Sequence, residues 1–270
     1  MSPTRTARSR GQVQPQPPIS FVGAGPGDPE LLTLKAKALI EQADVIVFAD
    51  SLVNPEVCRF AKPGAEIHGS SKLTLEQTSG LVIAAARQGK RVVRLQSGDP
   101  SIYGALNEQI AILEREGVAY EIVPGVSSAF AAAARLGVEL TVPNVSQTVI
   151  LTRRSGRASP VPQREQLASL AAHRATMAVF LSAAMMGKVV RELTEAGYPP
   201  ETPCCVAYKV SWPDEQIVHG TLADIVRKVR AARFTRQALI LVGDVLGPRS
   251  TERSKLYAED YTHLFRAKAR

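Results

Sequence analysis

Aromatic residues are scarce in this chain: only 5 % of its 270 residues are Phe, Trp or Tyr, and one is Trp. The core must therefore be built mainly from Ala, Val, Leu and Ile. Such a composition suits buried parallel strands that are covered by alanine-rich helices. Cysteines are also few. Cys58, Cys204 and Cys205 have neither metal-ligand spacing nor a CxxC pair, so we expect reduced thiols and no metal site.

Long apolar runs are missing as well. No stretch approaches the ~20 residues that a membrane-spanning helix requires. The N-terminal residues contain three arginines but no apolar region of the kind found in signal peptides. We therefore expect a cytoplasmic protein without a membrane partner, which begins with a disordered basic tail over residues 1–17.

The net charge of +8 is concentrated at the two ends of the chain. Residues 1–17 and 249–270 contribute +3 each, which leaves +2 for the core. Nucleic-acid binding requires a basic stripe on a folded face, and this distribution does not favour one. A modest excess of cations is still compatible with a small polyanionic partner.

Predicted strands and helices alternate along the chain, which is typical of parallel α/β sheets. Over residues 18–143 the pattern predicts one doubly wound α/β domain, with a short strand at Ile19–Gly25 and helices over 75–87 and 101–116. A second α/β domain with a mixed sheet is predicted over residues 144–248, because its strands include half-exposed ones. Residues 249–270 form a C-terminal extension.

Three loops follow predicted strands of the first domain, at Gly23–Gly27, Ser97–Gly104 and Pro124–Ser128. Open α/β sheets bind ligands at the carboxyl ends of their strands. The first loop suggests a dinucleotide site, but the GxGxxG pattern needs glycine where Asp28 stands. Each loop alone could be a structural turn. Three of them at successive strand ends favour a ligand site.

In this order and spacing, the loops GAGPGDP, SGDPSIYG and VPGVSSA resemble the tetrapyrrole (corrin/porphyrin) methylase family. The resemblance runs from about Ile19 to the C-terminus. Further segments resemble the branch of the family that methylates precorrin-4 at C11. These segments are residues 48–53, 147–153, 208–215, 254–257 and 262–266.

The resemblance implies a homodimer of two α/β domains, with S-adenosylmethionine in a cleft between the domains and an anionic tetrapyrrole beside it. S-adenosylhomocysteine would be the product of the cofactor. The residues that match the family's cofactor contacts are Pro26, Ser97, Gly98, Asp99, Ile102, Tyr103, Ser127, Ser128, Leu181, Tyr208 and Ala238.

The implied reaction converts precorrin-4 to precorrin-5 in corrin ring (cobalamin) biosynthesis, and it needs no protein nucleophile. Glu108 and Asp50 are the candidate catalytic carboxylates, for removal of a proton after methyl transfer. Glu108 matches an acid of relatives that methylate uroporphyrinogen. Those relatives carry arginine where this chain has Ala105, and a solvated helix carboxylate is the other interpretation of Glu108. Arg153 and Lys209 are the candidate partners of substrate carboxylates.

Three alternatives stay open at this point. Within the family, the methylated position could be another one on a precorrin or a cobalt-precorrin. From another class, the loop at Gly23–Gly27 could serve a nucleotide-dependent oxidoreductase. A tetrapyrrole carrier without turnover is the non-enzymatic alternative, although intact cofactor motifs speak against it.

Overall fold

The computed structural model describes residues 17–156, 159–249, 254, 261, 262 and 264. Its contacts divide the chain into two compact units. The first comprises Met1–Gly23 and Thr33–Gly125, and the second comprises Ala24–Leu32 and Val126–Arg270. The predicted basic tail (residues 1–17), apart from its last residue, lies outside the described part, as does most of the extension over residues 249–270, including most of the segments 254–257 and 262–266.

The first unit contains a five-stranded sheet in which every pairing is parallel. Its strands are β1 (Ile19–Gly23), β2 (Val45–Phe48), β3 (Glu66–Gly69), β4 (Val92–Gln96) and β5 (Tyr120–Val123). They are arranged in the order β3-β2-β4-β1-β5. The helices are α1 (Leu34–Gln42), α2 (Leu75–Arg87) and α3 (Leu106–Arg115). The predicted parallel sheet of the first domain is confirmed.

The helices α2 and α3, which share a cluster of core residues, begin in different ways. Thr74 and Gln77 form a capping box at the start of α2, and this helix has the predicted bounds. α3 begins later than residue 101, where the sequence predicted its start. Tyr103 and Ala105 have φ values of 56° and 49°, and a right-handed helix cannot include residues in this conformation.

The second unit contains a mixed five-stranded sheet, as predicted. Its elements are α4 (Ser128–Leu136), β6 (Val149–Arg153), α5 (Leu167–Ala171), β7 (Thr176–Phe180), α6 (Met186–Glu195), β8 (Pro203–Tyr208), β9 (Gln216–Thr221), α7 (Ile225–Ala232) and β10 (Ala238–Val242). The strand order is β6-β7-β10-β8-β9. β6 and β7 pair in parallel, and the other three pairings are antiparallel.

Both faces of the second sheet are covered. The alanines of α4 pack with one face, in a cluster that includes Cys205, Leu239 and Leu241. Residues of α5, α6 and α7 pack on the other face, in a cluster that includes Cys204. Because α4 packs on this sheet, the division between the units falls after Gly125, earlier than the boundary near residue 143 that the change in pattern predicted.

The three cysteines are free thiols, Cys204 and Cys205 being buried in β8 and Cys58 half-buried. Burial raises the pKa of Cys58 to about 11 and that of Cys205 to about 12. They are therefore protonated at neutral pH and pack as small apolar side chains.

None of the helices in the described part of the chain combines the length and the apolar composition that crossing a membrane would require.

Candidate active site

Three glycines meet at the carboxyl ends of β1, β4 and β5 in the first unit. A Cβ atom added to Gly125 would lie 2.1 Å from the carbonyl oxygen of Gly98 and 2.8 Å from Cα of Gly23. One added to Gly23 would lie 2.6 Å from Cα of Gly125. Since the neighbours are backbone atoms, no rotamer change could make room. We call these residues the glycine junction; it brings the backbone of the loops into direct contact.

Asp99 fastens two of these loops to each other. Its Oδ1 accepts a hydrogen bond from the N–H of Ser101 (2.8 Å), and its Oδ2 accepts one from the N–H of Gly125 (2.9 Å). Both oxygens are therefore used in shaping the loops after β4 and β5. The sequence predicted a cofactor contact for Asp99; this contact stays a prediction, and the structure adds the positioning role.

The loop from Ser97 to Gly104 carries the other predicted cofactor residues of the first unit, which are Ser97, Gly98, Ile102 and Tyr103. Gly98 has a φ of 62°, which favours glycine. The side chain of Tyr103 is 45 % exposed, so its ring is accessible to a ligand. The loop thus collects these residues at the end of a central strand, as the sequence predicted.

A buried polar network holds the end of the Ser97–Gly104 loop in place. The guanidinium of Arg94 donates hydrogen bonds to Oε1 of Gln109 (3.2 Å) and to the carbonyl of Val47 (3.3 Å). Nε2 of Gln109 in turn donates to the carbonyls of Gly104 (3.2 Å) and Ala105 (3.1 Å). Burial lowers the pKa of Arg94 to about 10. Sequence reasoning missed this network, although an arginine within the apolar run VVRLQ was a signal for it.

Asp50, one of the two predicted catalytic carboxylates, follows β2. Its Oδ1 accepts from the N–H of Ser71 and its Oδ2 from the hydroxyl of Ser71, both at 2.6 Å. These hydrogen bonds lower the pKa of Asp50 below its ordinary value, and a carboxylate with a lowered pKa is a weaker base. Glu108, the other candidate, is exposed in the first turn of α3. Asp50 is thus less suited to accept a proton, and the catalytic roles of both carboxylates stay predictions.

We expect the contribution of Asp50 to stability to depend on pH. Because folding lowers its pKa below 3.8, the ionised carboxylate stabilises the folded chain above that value. This contribution is lost as the pH falls through the folded pKa. Asp50→Asn should therefore lower the melting temperature at pH 7, and the gap to the wild type should narrow toward pH 3 in thermal scans. A gap that is constant across this pH range would contradict the interpretation.

In the second unit, the segment Ala24–Leu32 is held by the loop between β8 and β9. Nε1 of Trp212 donates a hydrogen bond to the carbonyl of Pro26 (3.0 Å), and the N–H of Asp28 donates to Oγ of Ser211 (2.9 Å). A Cβ atom on Gly27 would lie 2.1 Å from Cδ1 of Trp212. Glycine at position 27 thus lets the indole lie against the backbone.

Further hydrogen bonds and ion pairs fix the conformation of the loop between β8 and β9. The carboxylate of Glu215 accepts from the N–H of Ser211 (2.6 Å) and from Nε of Arg135 (2.8 Å). Nζ of Lys209 donates to Asp214 (2.6 Å) and lies 4.9 Å from the centroid of the Trp212 ring. We call residues Lys209–Glu215 the Trp212 clamp. The sequence pointed to this segment as a family resemblance but gave no role for Trp212, Ser211 or Glu215.

Lys209 was predicted to bind a substrate carboxylate. The hydrogen bond that Lys209 donates to Asp214 raises the pKa of Lys209, so the side chain is a cation with an acidic partner already in place. Its φ of 47° places it in a left-handed turn. Lys209 thus holds the clamp, and its role toward the substrate stays a prediction.

One end of the second sheet collects the other predicted residues. Tyr208 at the end of β8 lies opposite Ala238 at the start of β10, and Leu181 follows β7, which pairs with β10 on its other side. Arg153 at the end of β6 lies opposite Phe180. Leu181 is 60 % exposed. Four predicted residues from distant parts of the sequence therefore lie at the same end of four adjacent strands, which we call the sheet edge.

The two predicted serines lie at the start of α4. Ser127 is the N-cap residue, and its hydroxyl accepts a hydrogen bond from the N–H of Ala129 (3.3 Å). Ser128 is the first residue of the helix. Helix N-termini favour negative or electron-rich groups, which is compatible with the predicted contact to a cofactor. Over the described residues, no group of three or more His, Cys, Asp or Glu side chains could hold a metal ion.

Comparison with known proteins identifies the family. Residues 18–226 match the family model of the Tetrapyrrole (Corrin/Porphyrin) Methylases. The chain belongs to this family. The resemblance that the three loops carried is thereby confirmed, and the match includes both sheets except for β10.

Curated relatives within the family are similar over almost their whole length. The chain is 53 % identical over 248 residues to the cobalt-precorrin-4 C(11)-methyltransferase of Methanocaldococcus jannaschii, covering 92 % of this chain and 95 % of the relative. It is 47 % identical to the precorrin-4 C(11)-methyltransferase of Pseudomonas aeruginosa, covering 92 % of this chain and 98 % of the relative.

Solved structures agree with this assignment. A cobalt precorrin-4 methyltransferase of cobalamin biosynthesis superimposes with a TM-score of 0.82 at 48 % identity, over 85 % of this chain and 96 % of the other. A uroporphyrin-III C-methyltransferase of Thermus thermophilus, complexed with S-adenosyl homocysteine, gives a TM-score of 0.71 at 31 % identity, over 85 % of this chain and 93 % of the other. The predicted fold class is confirmed.

Proposed function

We propose that this chain methylates C11 of precorrin-4, or of cobalt-precorrin-4, with S-adenosylmethionine as the methyl donor, in corrin ring biosynthesis. The observation that carries the proposal is the similarity to two relatives of this activity, at 53 % and 47 % identity over 92 % of the chain. Such extensive similarity covers the loops, the clamp and the sheet edge together.

The residues present fit a cofactor of this kind. The glycine junction keeps side chains away from the carboxyl ends of β1, β4 and β5, which is where open α/β sheets bind their ligands. The amide of Gln96, at the end of β4, is buried and has no hydrogen-bond partner within the described chain, although buried polar groups are normally paired. The exposed ring of Tyr103 offers apolar surface for an adenosyl group. When bound, the cofactor supplies an electrophilic methyl group on a sulfonium.

The chain itself contributes positioning to the reaction. Asp99 and Gln109 hold the loop after β4, and the Trp212 clamp holds the backbone at Pro26. Fixing reactants in line can supply much of a methyl-transfer rate enhancement. In this scheme the nitrogen-conjugated ring carbon of the tetrapyrrole is itself the nucleophile. Glu108 accepts the proton that the conjugated macrocycle releases from a ring nitrogen after the new carbon–carbon bond has formed. The homodimer that the resemblance implies and the cytoplasmic location expected from the sequence belong to the same proposal.

The oxidoreductase alternative receives no support. Oδ1 of Asp28 accepts a hydrogen bond from the N–H of Glu30 (2.9 Å) and caps a short 3₁₀ turn at Pro29–Leu31. A carboxylate therefore stands where a dinucleotide pyrophosphate would need a glycine and an open helix N-terminus.

A methyl-transfer assay tests the proposal. Purified protein is incubated with S-adenosylmethionine and either precorrin-4 or its cobalt form, and the product is analysed by mass and carbon NMR. Methylation at C11 of one of the two substrates is expected. Calorimetric titration with S-adenosylhomocysteine and, in parallel, NAD provides the simpler check. If only NAD binds, the proposal fails. If S-adenosylhomocysteine binds but no methyl transfer occurs, the result favours the alternative of a tetrapyrrole carrier without turnover.

We expect Glu108→Gln to lower kcat while leaving the melting temperature unchanged, because the residue is exposed on α3. The loss should be smaller than the ~100-fold typical of a general base in the rate-limiting step, since this proton leaves after methyl transfer. Steady-state kinetics at saturating cofactor measures it. The same substitution at Glu56, an exposed glutamate elsewhere in the first unit, is the control. An unchanged kcat in Glu108→Gln would leave Glu108 as a solvated carboxylate.

A further inference from the structure

A cavity of about 750 Å³ opens between α6 and α7 in the second unit. Small-molecule sites typically have volumes of about 300–1,000 Å³. Four basic residues line it, namely Lys188 and Arg191 of α6, Arg230 of α7, and Arg233, which follows α7. None of the described residues that line the cavity is Asp or Glu. The cavity is therefore strongly cationic, and we call these residues the cavity cations.

This arrangement of charge brings no benefit to folding. Lys188 and Arg191 are three residues apart on one helix face, where like charges repel. Lys188 also lies in the first turn of α6, at the positive end of the helix dipole. Arg230 of α7 points toward the same turn, since its Nη2 lies 3.9 Å from the position of a Cβ atom on Gly187. The positive charges are concentrated rather than dispersed.

Two basic residues close to the cavity cations in the structure have acidic partners on these helices or at their ends. On α7, Nζ of Lys228 lies 2.6 Å from Oδ2 of Asp224, and on α6, Glu192 pairs with Nη2 of Arg154 at 2.6 Å. No ion pair within the described part of the chain includes a cavity cation. The cavity cations thus differ from Lys228 and Arg154, because no carboxylate of the described residues lies within ion-pair distance of them.

The remaining lining is mainly apolar and includes Met186, Val226, Val229 and Phe234. The ring of Phe234 stacks on that of Tyr208, with centroids 4.8 Å apart and planes 12° from parallel. A ligand that suits both parts of the lining has an apolar body and several anionic groups. Arginine binds carboxylates in a bidentate manner, which adds geometric specificity.

We propose that the cavity binds the carboxylate side chains of the anionic tetrapyrrole, with the cavity cations as their partners. This inference rests on the proposed function, which supplies a ligand with an apolar macrocycle and carboxylates at its rim. It names a set of substrate-binding residues different from Arg153 and Lys209. Phe234 lines the cavity and stacks on Tyr208. A ligand in the cavity is therefore one residue away from Tyr208, which the resemblance assigns to the cofactor.

Fluorescence titration with uroporphyrin, a stable tetrapyrrole polycarboxylate, tests the inference. The variants are K188Q/R191Q and R230Q/R233Q, and the control is R115Q/R227Q, which removes the same charge from exposed positions outside the cavity. We call the first two double variants the cavity pairs. Each cavity pair should raise the Kd for uroporphyrin roughly tenfold, because two exposed charge contacts are lost. The control should change it less than about twofold. In the methyl-transfer assay, the cavity pairs should raise KM for the tetrapyrrole and leave KM for the methyl donor unchanged.

Other outcomes decide against the inference. If the cavity pairs bind uroporphyrin as the control does, the cavity is not a tetrapyrrole site, while methyl transfer by the wild type still supports the proposed function. If inorganic triphosphate displaces uroporphyrin at lower concentration than a simple tricarboxylate does, the site selects phosphates and the inference is wrong. Weakened binding in the cavity pairs, with no methyl transfer by the wild type, would instead uphold the site and overturn the proposed function.

Discussion

Gly125→Ala is expected to abolish most of the methyl-transfer activity and to destabilise the protein. The new Cβ atom would lie 2.1 Å from the carbonyl oxygen of Gly98, so the strand ends must separate. Overpacking of this kind costs about 3 kcal/mol or more when only backbone can move. Displacing a ligand loop by about 1 Å can lower a rate about 100-fold. Chemical denaturation and the calorimetric affinity for S-adenosylhomocysteine measure the two effects.

Gly80→Ala is the matched control for this substitution. Gly80 lies within α2, and a Cβ atom there would meet nothing within 4 Å. Alanine is favoured over glycine in a helix interior by about 1 kcal/mol, so this variant should be more stable than the wild type and equally active. If Gly125→Ala denatures at the same concentration as the wild type and keeps its ligand affinity, the close approach of the three loops has no functional importance.

Trp212→Ala should weaken the binding of S-adenosylhomocysteine about tenfold, since the carbonyl of Pro26 loses its donor and the Ala24–Leu32 segment loses the ring that Gly27 accommodates. Truncating a half-buried Trp should also cost about 3 kcal/mol of stability, the lower end for large-to-small changes. Trp212→Phe keeps an aromatic ring and removes only the N–H donor. Its cost should be about 1 kcal/mol, that of one hydrogen bond.

Phe130→Ala serves as the comparison, because this ring belongs to the same unit and is 59 % exposed. It should change neither stability nor ligand affinity by much. The graded order from Trp212→Ala through Trp212→Phe to Phe130→Ala distinguishes the positioning role of the clamp from general loss of packing. If the Trp212→Ala protein folds and binds S-adenosylhomocysteine with the affinity of the wild type, the Trp212 clamp has no role in ligand binding.

Local patterns in the sequence were sufficient for most of the fold. The pattern predicted the strand β1, and it predicted α2 over residues 75–87 with its observed bounds. β3 escaped prediction because it is a mostly exposed edge strand that pairs only with β2. The predicted start of α3 was wrong. Tyr103 and Ala105 adopt left-handed backbone conformations, and no sequence pattern predicts such conformations for residues that are not glycine.

The candidate site was predicted in its parts but not in its connections. The sequence pointed to the glycine loops and to Asp99, yet it could not show that Gly23, Gly98 and Gly125 touch one another. Nor could it show that Trp212 contacts Pro26, because such contacts depend on the packing of strands far apart in the chain. The alanines of α4 indicated close packing on a sheet, and only the tertiary structure decided which sheet.

The Ala24–Leu32 segment has a consequence for how the protein is made. This segment interrupts the first unit in the sequence and belongs to the second, and its partner Trp212 lies 186 positions after Pro26. At ribosomal rates of about 5–20 residues per second, the segment waits roughly ten to forty seconds for its partner to emerge. The Ala24–Leu32 segment is therefore among the last parts of the chain to reach its final conformation, although it is among the first to be synthesised.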